Sequence, residues 1–328
     1  MTRLLACLGA LFLLVLYGCA APAGGSAGGF DLQAHRGGRG LAPENTLAAF
    51  SNAMALGVDT LELDIGLTAD GIIVISHDTV LNPEHTRDAQ GAFLGAPGPS
   101  IRSLTLAQLQ RYDVGRLNAA SNYGKQFPSQ VPRDGERIPT LASLFEIARG
   151  STVRFNIETK IDPTRPDETA SAEAIVDALL QTIERAGMAH RVTVQSFDWR
   201  TLALVAQRAP NLPRAYLTSA RTLRDGRWTG GLAASAFPSV PQLVKAAGGA
   251  GDITWSPSFG ELTPEALREA HALGLKVLPW TVNQRADMVR LLDWGVDGLI
   301  TDYPNLLREA LREGGRQPPR PQAAGPTK

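Results

Sequence analysis

Cysteine is nearly missing from this chain of 328 residues: Cys7 and Cys19 are the two it has, and both fall within its first nineteen positions. The rest can carry no disulfide framework and no thiolate zinc site, so any metal in it must be held by carboxylate, imidazole and water. Charge of one sign is not in excess either, since 32 Lys and Arg balance 32 Asp and Glu. Zero formal net charge gives no support to a nucleic-acid partner, and no acidic block marks a disordered tail. No repeat of roughly 20–50 residues recurs along the chain. Histidine is scarce, with five in all.

Long hydrophobic runs are absent apart from Leu4–Tyr17. That run is shorter than the roughly 20 residues a membrane helix needs. With Arg3 before it and Leu16-Tyr17-Gly18-Cys19 after it, the run reads as a bacterial lipoprotein signal. The expectation is cleavage before Cys19, lipidation of Cys19 and loss of Cys7. Ordinary signal-peptidase cleavage, giving a soluble secreted or periplasmic protein, is the alternative. Residues 20–29, rich in Ala and Gly, form a flexible tether. Ala20, not Asp, follows the lipidated position, which favours the outer membrane in a two-membrane cell. The expected location is therefore the cell envelope, lipid-anchored in the periplasm or at the outer membrane. Residues 313–328 are Pro-, Gly- and polar-rich and are expected to be a disordered tail. The folded domain is then 30–312, a length that suits an α/β barrel with an insertion.

Within it, strand-like and amphipathic runs alternate, the pattern of an α/β fold. Eight strands are expected, at 31–35, 60–65, 153–158, 192–196, 213–218, 252–255, 275–280 and 297–301. Helices are expected at 44–56, 140–149, 171–186, 199–209, 239–247, 264–273, 285–294 and 304–312. A further strand, 72–77, follows the second across Thr68-Ala69-Asp70-Gly71. That connection is too short for a parallel crossover, so 72–77 is an antiparallel hairpin arm that carries His77 back towards the barrel. Between Asp78 and Pro139 lies an irregular stretch with one short helical candidate, Thr105–Tyr112. A connection of that length is expected to be a lid-like insertion, about 78–138, over one mouth of the barrel.

Polar residues at strand ends collect on one predicted face, where barrel active sites form. Glu62 and Asp64 are two residues apart and share a strand face, as do Glu158 and Lys160. Three carboxylates converging there suit a hard divalent cation, Ca²⁺ or Mg²⁺. His35 and His77 end two elements on the same face and can serve as acid and base near neutral pH. His85, His190 and His271 read as solvated surface residues. Arg36 and Lys160 would bring positive charge to an anionic substrate near the metal; an ion pair between Arg36 and Glu44 is the other reading. Asn45 or Thr46 caps a helix, and Glu44 either favours the helix dipole or orients an active-site side chain. Trp280 is either core or an apolar wall for a substrate alcohol.

Taken in order, His35-Arg36-Gly37, Pro43-Glu44-Asn45-Thr46, Glu62-Leu63-Asp64, Thr68-Ala69-Asp70-Gly71, Ile75-Ser76-His77-Asp78, Ile157-Glu158-Thr159-Lys160, Gln195-Ser196-Phe197, Trp280-Thr281-Val282-Asn283 and Gly295-Val296-Asp297-Gly298-Leu299-Ile300-Thr301-Asp302 resemble the glycerophosphodiester phosphodiesterases. The resemblance spans about residues 31–303. It implies a distorted (β/α)₈ TIM barrel of the phospholipase C-like phosphodiesterase type, with an inserted lid segment. It implies His35 and His77 as the acid–base pair and Glu62, Asp64 and Glu158 as ligands of the divalent metal. Arg36 and Lys160 would contact the phosphate, and Trp280 would lie near the alcohol. The expected partner is a small glycerophosphodiester, cleaved to glycerol 3-phosphate and an alcohol; no protein partner is implied. A lysophospholipase D-like substrate and a non-catalytic phospholigand-binding lipoprotein are the alternatives. The insertion has only a few apolar residues that look exposed, such as Phe93, Leu94 and Phe127, which favours water-soluble diesters.

Overall fold

Alternation along one strand shows how this sequence divides inside from outside. In β2 (Thr60–Leu67), Leu61, Leu63 and Ile65 belong to the main apolar core, while Glu62 and Asp64, also buried, project to the opposite face. The computed structural model describes residues 29–326. The leader with Cys7 and Cys19, and tether residues 20–28, lie outside the described residues.

Eight strands are hydrogen-bonded in the order β8-β7-β6-β5-β4-β2-β1-β9, every neighbouring pair parallel. They are β1 (Asp31–Ala34), β2, β4 (Arg154–Thr159), β5 (Val192–Ser196), β6 (Arg214–Thr218), β7 (Ile253–Pro257), β8 (Lys276–Val277) and β9 (Gly298–Thr301). Beyond Val277 the chain bonds to β9 instead of β7 alone: Asp297 N–H donates to Val277 O at 3.1 Å and Val282 N–H to Ile300 O at 2.9 Å. These bonds bring the two ends of the sheet together, giving the expected (β/α)₈ barrel. The hairpin arm β3 (Ile73–Ile75) pairs antiparallel with β2, Ile65 opposite Ile75.

Outside the barrel run α1 (Leu47–Leu56), α3 (Leu141–Ile147), α4 (Ala172–Ala186), α5 (Trp199–Arg208), α6 (Val240–Gly248), α7 (Pro264–Ala272), α8 (Arg285–Trp294) and α9 (Pro304–Glu313), with the single turn α2 (Leu106–Leu109) in the insertion. Thr46, Thr140, Ser171, Asp198, Ser239 and Thr263 each cap a helix by accepting a backbone N–H. The expected helix at 44–56 therefore starts three residues later, after its Thr46 cap.

Three expectations need correction. The helical candidate Thr105–Tyr112 is one turn, closed at its start by a Thr105–Gln108 capping box. The lid-like insertion carries an apolar cluster of its own, in which Leu81, Ile101, Leu109, Val114 and Ile138 pack with Val74 of β3. Its Phe127 is buried, not exposed. The C-terminal segment also has fixed partners. Arg308 donates to Pro319 O at 2.5 Å, Gln322 N–H to Met54 O at 2.8 Å and Gly325 N–H to Ile147 O at 2.7 Å. Residues through 326 thus lie against α1 and α3, and do not form a disordered tail.

Candidate active site

After β1, the chain turns sharply through His35–Gly37, with Arg36 at φ 51° and Gly37 at φ 79°. A side chain at Gly37 would put its Cβ 2.8 Å from that of Ala49, so only glycine lets the turn sit on α1. The turn aims the Arg36 N–H at Glu62, to which it donates at 2.9 Å. Register does the rest: Asp64 of β2 lies beside Glu158 of β4. Buried ligand atoms of Glu62, Asp64 and Glu158 come within 4.8 Å of one another.

Two cations are set among these carboxylates. Lys160 Nζ is 2.8 Å from Glu158 and 3.6 Å from Asp64. Arg36 pairs with Glu44 at 2.7 Å and stands 3.4 Å from Asp64. Arg36 thus meets both the carboxylate cluster and Glu44, and Glu44 orients an active-site cation. Asn45 does not cap α1; at φ 56° it turns its amide to Asp64 at 3.1 Å.

Each of the two histidines has a carboxylate behind it. His35 Nδ1 is 2.6 Å from Asp302, leaving Nε2 turned towards Glu62 at 4.0 Å. His77 Nδ1 is 2.9 Å from Asp78. With each Nδ1 carrying the proton that its carboxylate accepts, each Nε2 is left as an acceptor. Burial, against the opposing pull of Asp302, lowers His35 to about 4. Burial and the nearby Arg36 and Lys160 also lower His77. Both rings are therefore neutral near pH 7 before substrate arrives.

Burial pushes Glu62 well above the usual carboxylate range, reinforced by Asp64. Burial also lifts Glu158 to about 7, with Lys160 opposing and Asp64 adding to it. Asp64 goes the other way: burial opposes its charge, but Lys160 and Arg36 outweigh that and hold it ionised. Asp64 Oδ1 is buried with no hydrogen-bond donor. When all are ionised, Glu44, Glu62, Asp64 and Glu158 outnumber Arg36 and Lys160 by two charges. A buried two-charge deficit, hard oxygen donors and an orphaned carboxylate oxygen fit a divalent cation.

A cavity of about 670 Å³ opens over this cluster, lined by His77, Glu158, Lys160 and Trp280 and, on the insertion side, by Asn82 and Pro97. His35, Arg36, Glu62 and Asp64 adjoin that lining through the contacts above. Trp280 is a cavity wall, its indole N–H donating to Ser256 O at 2.9 Å. Gln195, part of the Gln195-Ser196-Phe197 motif, donates to Glu62 at 2.6 Å. Arg39 and Tyr123 carry no sequence signal of their own. Arg39 bridges Asp302, at 2.8 Å, and the Tyr123 hydroxyl, at 2.9 Å. The Tyr123 hydroxyl in turn donates to Glu44. His85 is not a solvated surface residue: its side chain is 15% exposed and its Nε2 is 3.3 Å from Asp78. His190 and His271 are exposed as expected.

Comparison with known proteins agrees with this geometry. Residues 35–306 match the model of the glycerophosphoryl diester phosphodiesterase family. The chain is 31% identical over 282 residues to a glycerophosphodiester phosphodiesterase of Caldanaerobacter subterraneus subsp. tengcongensis, covering 86% of this chain and 98% of that one. A crystal structure of a Silicibacter pomeroyi protein superposes with a TM-score of 0.80 at 36% identity, covering 89% of this chain and 96% of its own. An Oleispira antarctica phosphodiesterase, solved with the product sn-glycerol-3-phosphate, superposes with a TM-score of 0.63 at 25% identity, covering 86% of this chain and 96% of its own. With its barrel matched almost end to end, the chain is an enzyme and belongs to the glycerophosphoryl diester phosphodiesterase family.

Proposed function

We propose that this enzyme hydrolyses glycerophosphodiesters to sn-glycerol 3-phosphate and an alcohol, with a divalent cation, Ca²⁺ or Mg²⁺, held by Glu62, Asp64 and Glu158. The observation that carries the reading is the buried carboxylate triad within 4.8 Å, one of its oxygens without a hydrogen-bond donor, bordered by two neutral histidines. Such a cation would polarise the phosphodiester and offset charge gathering on its oxygens. Arg36 and Lys160 are placed to add to that neutralisation. Of His35 and His77, one takes the proton of the attacking hydroxyl and the other protonates the leaving alcohol; attack by water gives the monoester directly, whereas attack by the neighbouring glycerol hydroxyl gives a cyclic phosphate that water opens in a second step. Asp302 and Asp78 keep each Nε2 available and stabilise the imidazolium that forms. Trp280 would flank the alcohol.

Turnover of glycerophosphoglycerol by His35→Ala and His77→Ala tests the pair. Each should lose about 10²–10⁴-fold in kcat while keeping the wild-type circular dichroism. Near-wild-type rates in either folded variant would remove that residue from the mechanism. The leader's sequence supports a second proposal, lipidation at Cys19 and attachment to the cell envelope. In detergent phase partitioning the full chain should enter the detergent phase and Cys19→Ser should not; equal partitioning would contradict it.

A further inference from the structure

The catalytic cavity extends past three aromatic side chains, Phe197, Trp228 and Trp280. Phe197 meets Trp280 edge-on at 5.3 Å and Trp228 at 6.5 Å. Aromatic walls of this kind ordinarily suit a quaternary ammonium. Here the Arg221 guanidinium lies 5.3 Å from the centroid of Trp228 and lines the same cavity. It covers a ring face that a ligand cation would use, and it repels that cation.

The pairing of the other cations makes Arg221 distinctive. Lys160 is held by Glu158 at 2.8 Å, and Arg165 by Asp162 at 3.1 Å and Glu168 at 2.9 Å. Arg221 takes part in no salt bridge among the described residues, so its planar fork of N–H donors is open to an oxyanion. On the insertion side of the cavity, the Glu84 carboxylate accepts the Tyr123 N–H at 3.3 Å and is likewise without a salt bridge among the described residues.

We propose that Arg221 selects glycerophosphodiesters whose alcohol portion carries an anionic group, a carboxylate or a phosphate. The inference rests on the hydrolytic reading above and names the substrate class within it. Arg221 receives the anionic group in a bidentate contact while Trp280 and Phe197 flank the carbon chain. With Glu84 in the same lining, an ammonium borne beside the anion, as in a serine head group, is tolerated. A head group with an ammonium alone leaves the guanidinium without an anion to bind.

The test compares kcat/KM of the wild-type protein and Arg221→Gln on four diesters of glycerol 3-phosphate. Their alcohols are serine, glycerol phosphate, neutral glycerol and choline. The wild type should prefer the serine or glycerol phosphate diester over the neutral and choline diesters by about tenfold or more. A lead for serine identifies a carboxylate as the group recognised, and a lead for glycerol phosphate identifies a phosphate. Arg221→Gln should erase that preference while hydrolysing the neutral diester at the wild-type rate, which also shows that it folds. Equal kcat/KM for the two proteins on both anionic diesters, or a wild-type preference for choline, would overturn the proposal. Absence of turnover on all four would remove the hydrolytic reading and this inference with it.

Discussion

Proton affinity at Glu158 links the site's geometry to a measurable exchange. Burial holds its carboxyl near 7 in the metal-free site, and Glu62 is displaced upward in the same sense. A cation binds the carboxylates and not the acids, so metal binding near neutral pH must release protons. Calorimetric titration with Ca²⁺ or Mg²⁺ in buffers of different ionisation enthalpy should show net proton release at pH 6.5, and an apparent affinity that rises as pH rises through 7. A heat independent of buffer would contradict this assignment of the two carboxyls. Two-residue spacing on a strand made Glu62, Asp64, Glu158 and Lys160 legible in the sequence, because spacing fixes which face a side chain takes. The partners of those groups were not legible in the same way. Asp302 stood among the strand-end residues, but nothing local pairs it with His35, 267 positions away. His85 looked like an ordinary loop histidine because its burial depends on Asp78 and on the insertion folding over it.

Among the elements, the insertion departs most from its sequence reading. Its composition predicted irregular chain, and irregular it is, yet a small apolar cluster and the Tyr123 hydroxyl fasten it to the barrel. Tyr123 joins Glu44 and Arg39, and Arg39 joins Asp302, so one insertion residue reaches the carboxylates that hold Arg36 and His35. Tyr123→Phe should leave those charged groups a hydrogen bond short, at a cost of about 1–3 kcal/mol. The expected result is a lower Tm and faster amide hydrogen exchange confined to residues 78–138. Exchange unchanged in that segment would show that apolar packing alone fixes it. The C-terminal segment carries a related lesson: Pro and Gly content reads as disorder, but exposed carbonyls such as Pro319 O can still find a buried donor such as Arg308. One helix start was misplaced, by three residues, because the cap at Thr46 and not Glu44 sets the boundary; the other helix starts agree to within one residue.

For the molecule as a whole, strand–helix alternation was enough to read eight strands and a barrel, since parallel strands need crossovers and each crossover here is a helix or a long loop. Closure between β8 and β9 was less visible, because β8 is two residues long and the chain beyond it bonds to its neighbour irregularly. Direct pairing of β1 with β2 and of β2 with β4 places their ends side by side, and the central claim is that the carboxylates gathered there bind the divalent cation on which hydrolysis depends. The most direct measurement is sn-glycerol 3-phosphate release from a glycerophosphodiester by the purified protein after chelator treatment, with Ca²⁺ or Mg²⁺ then added back, alongside Glu62→Gln, Asp64→Asn and Glu158→Gln. Loss of product with chelator, recovery with one of the two cations, and no recovery in the three variants is the predicted result. Undiminished turnover by the metal-stripped protein, or metal-restored turnover in all three variants, would contradict the account.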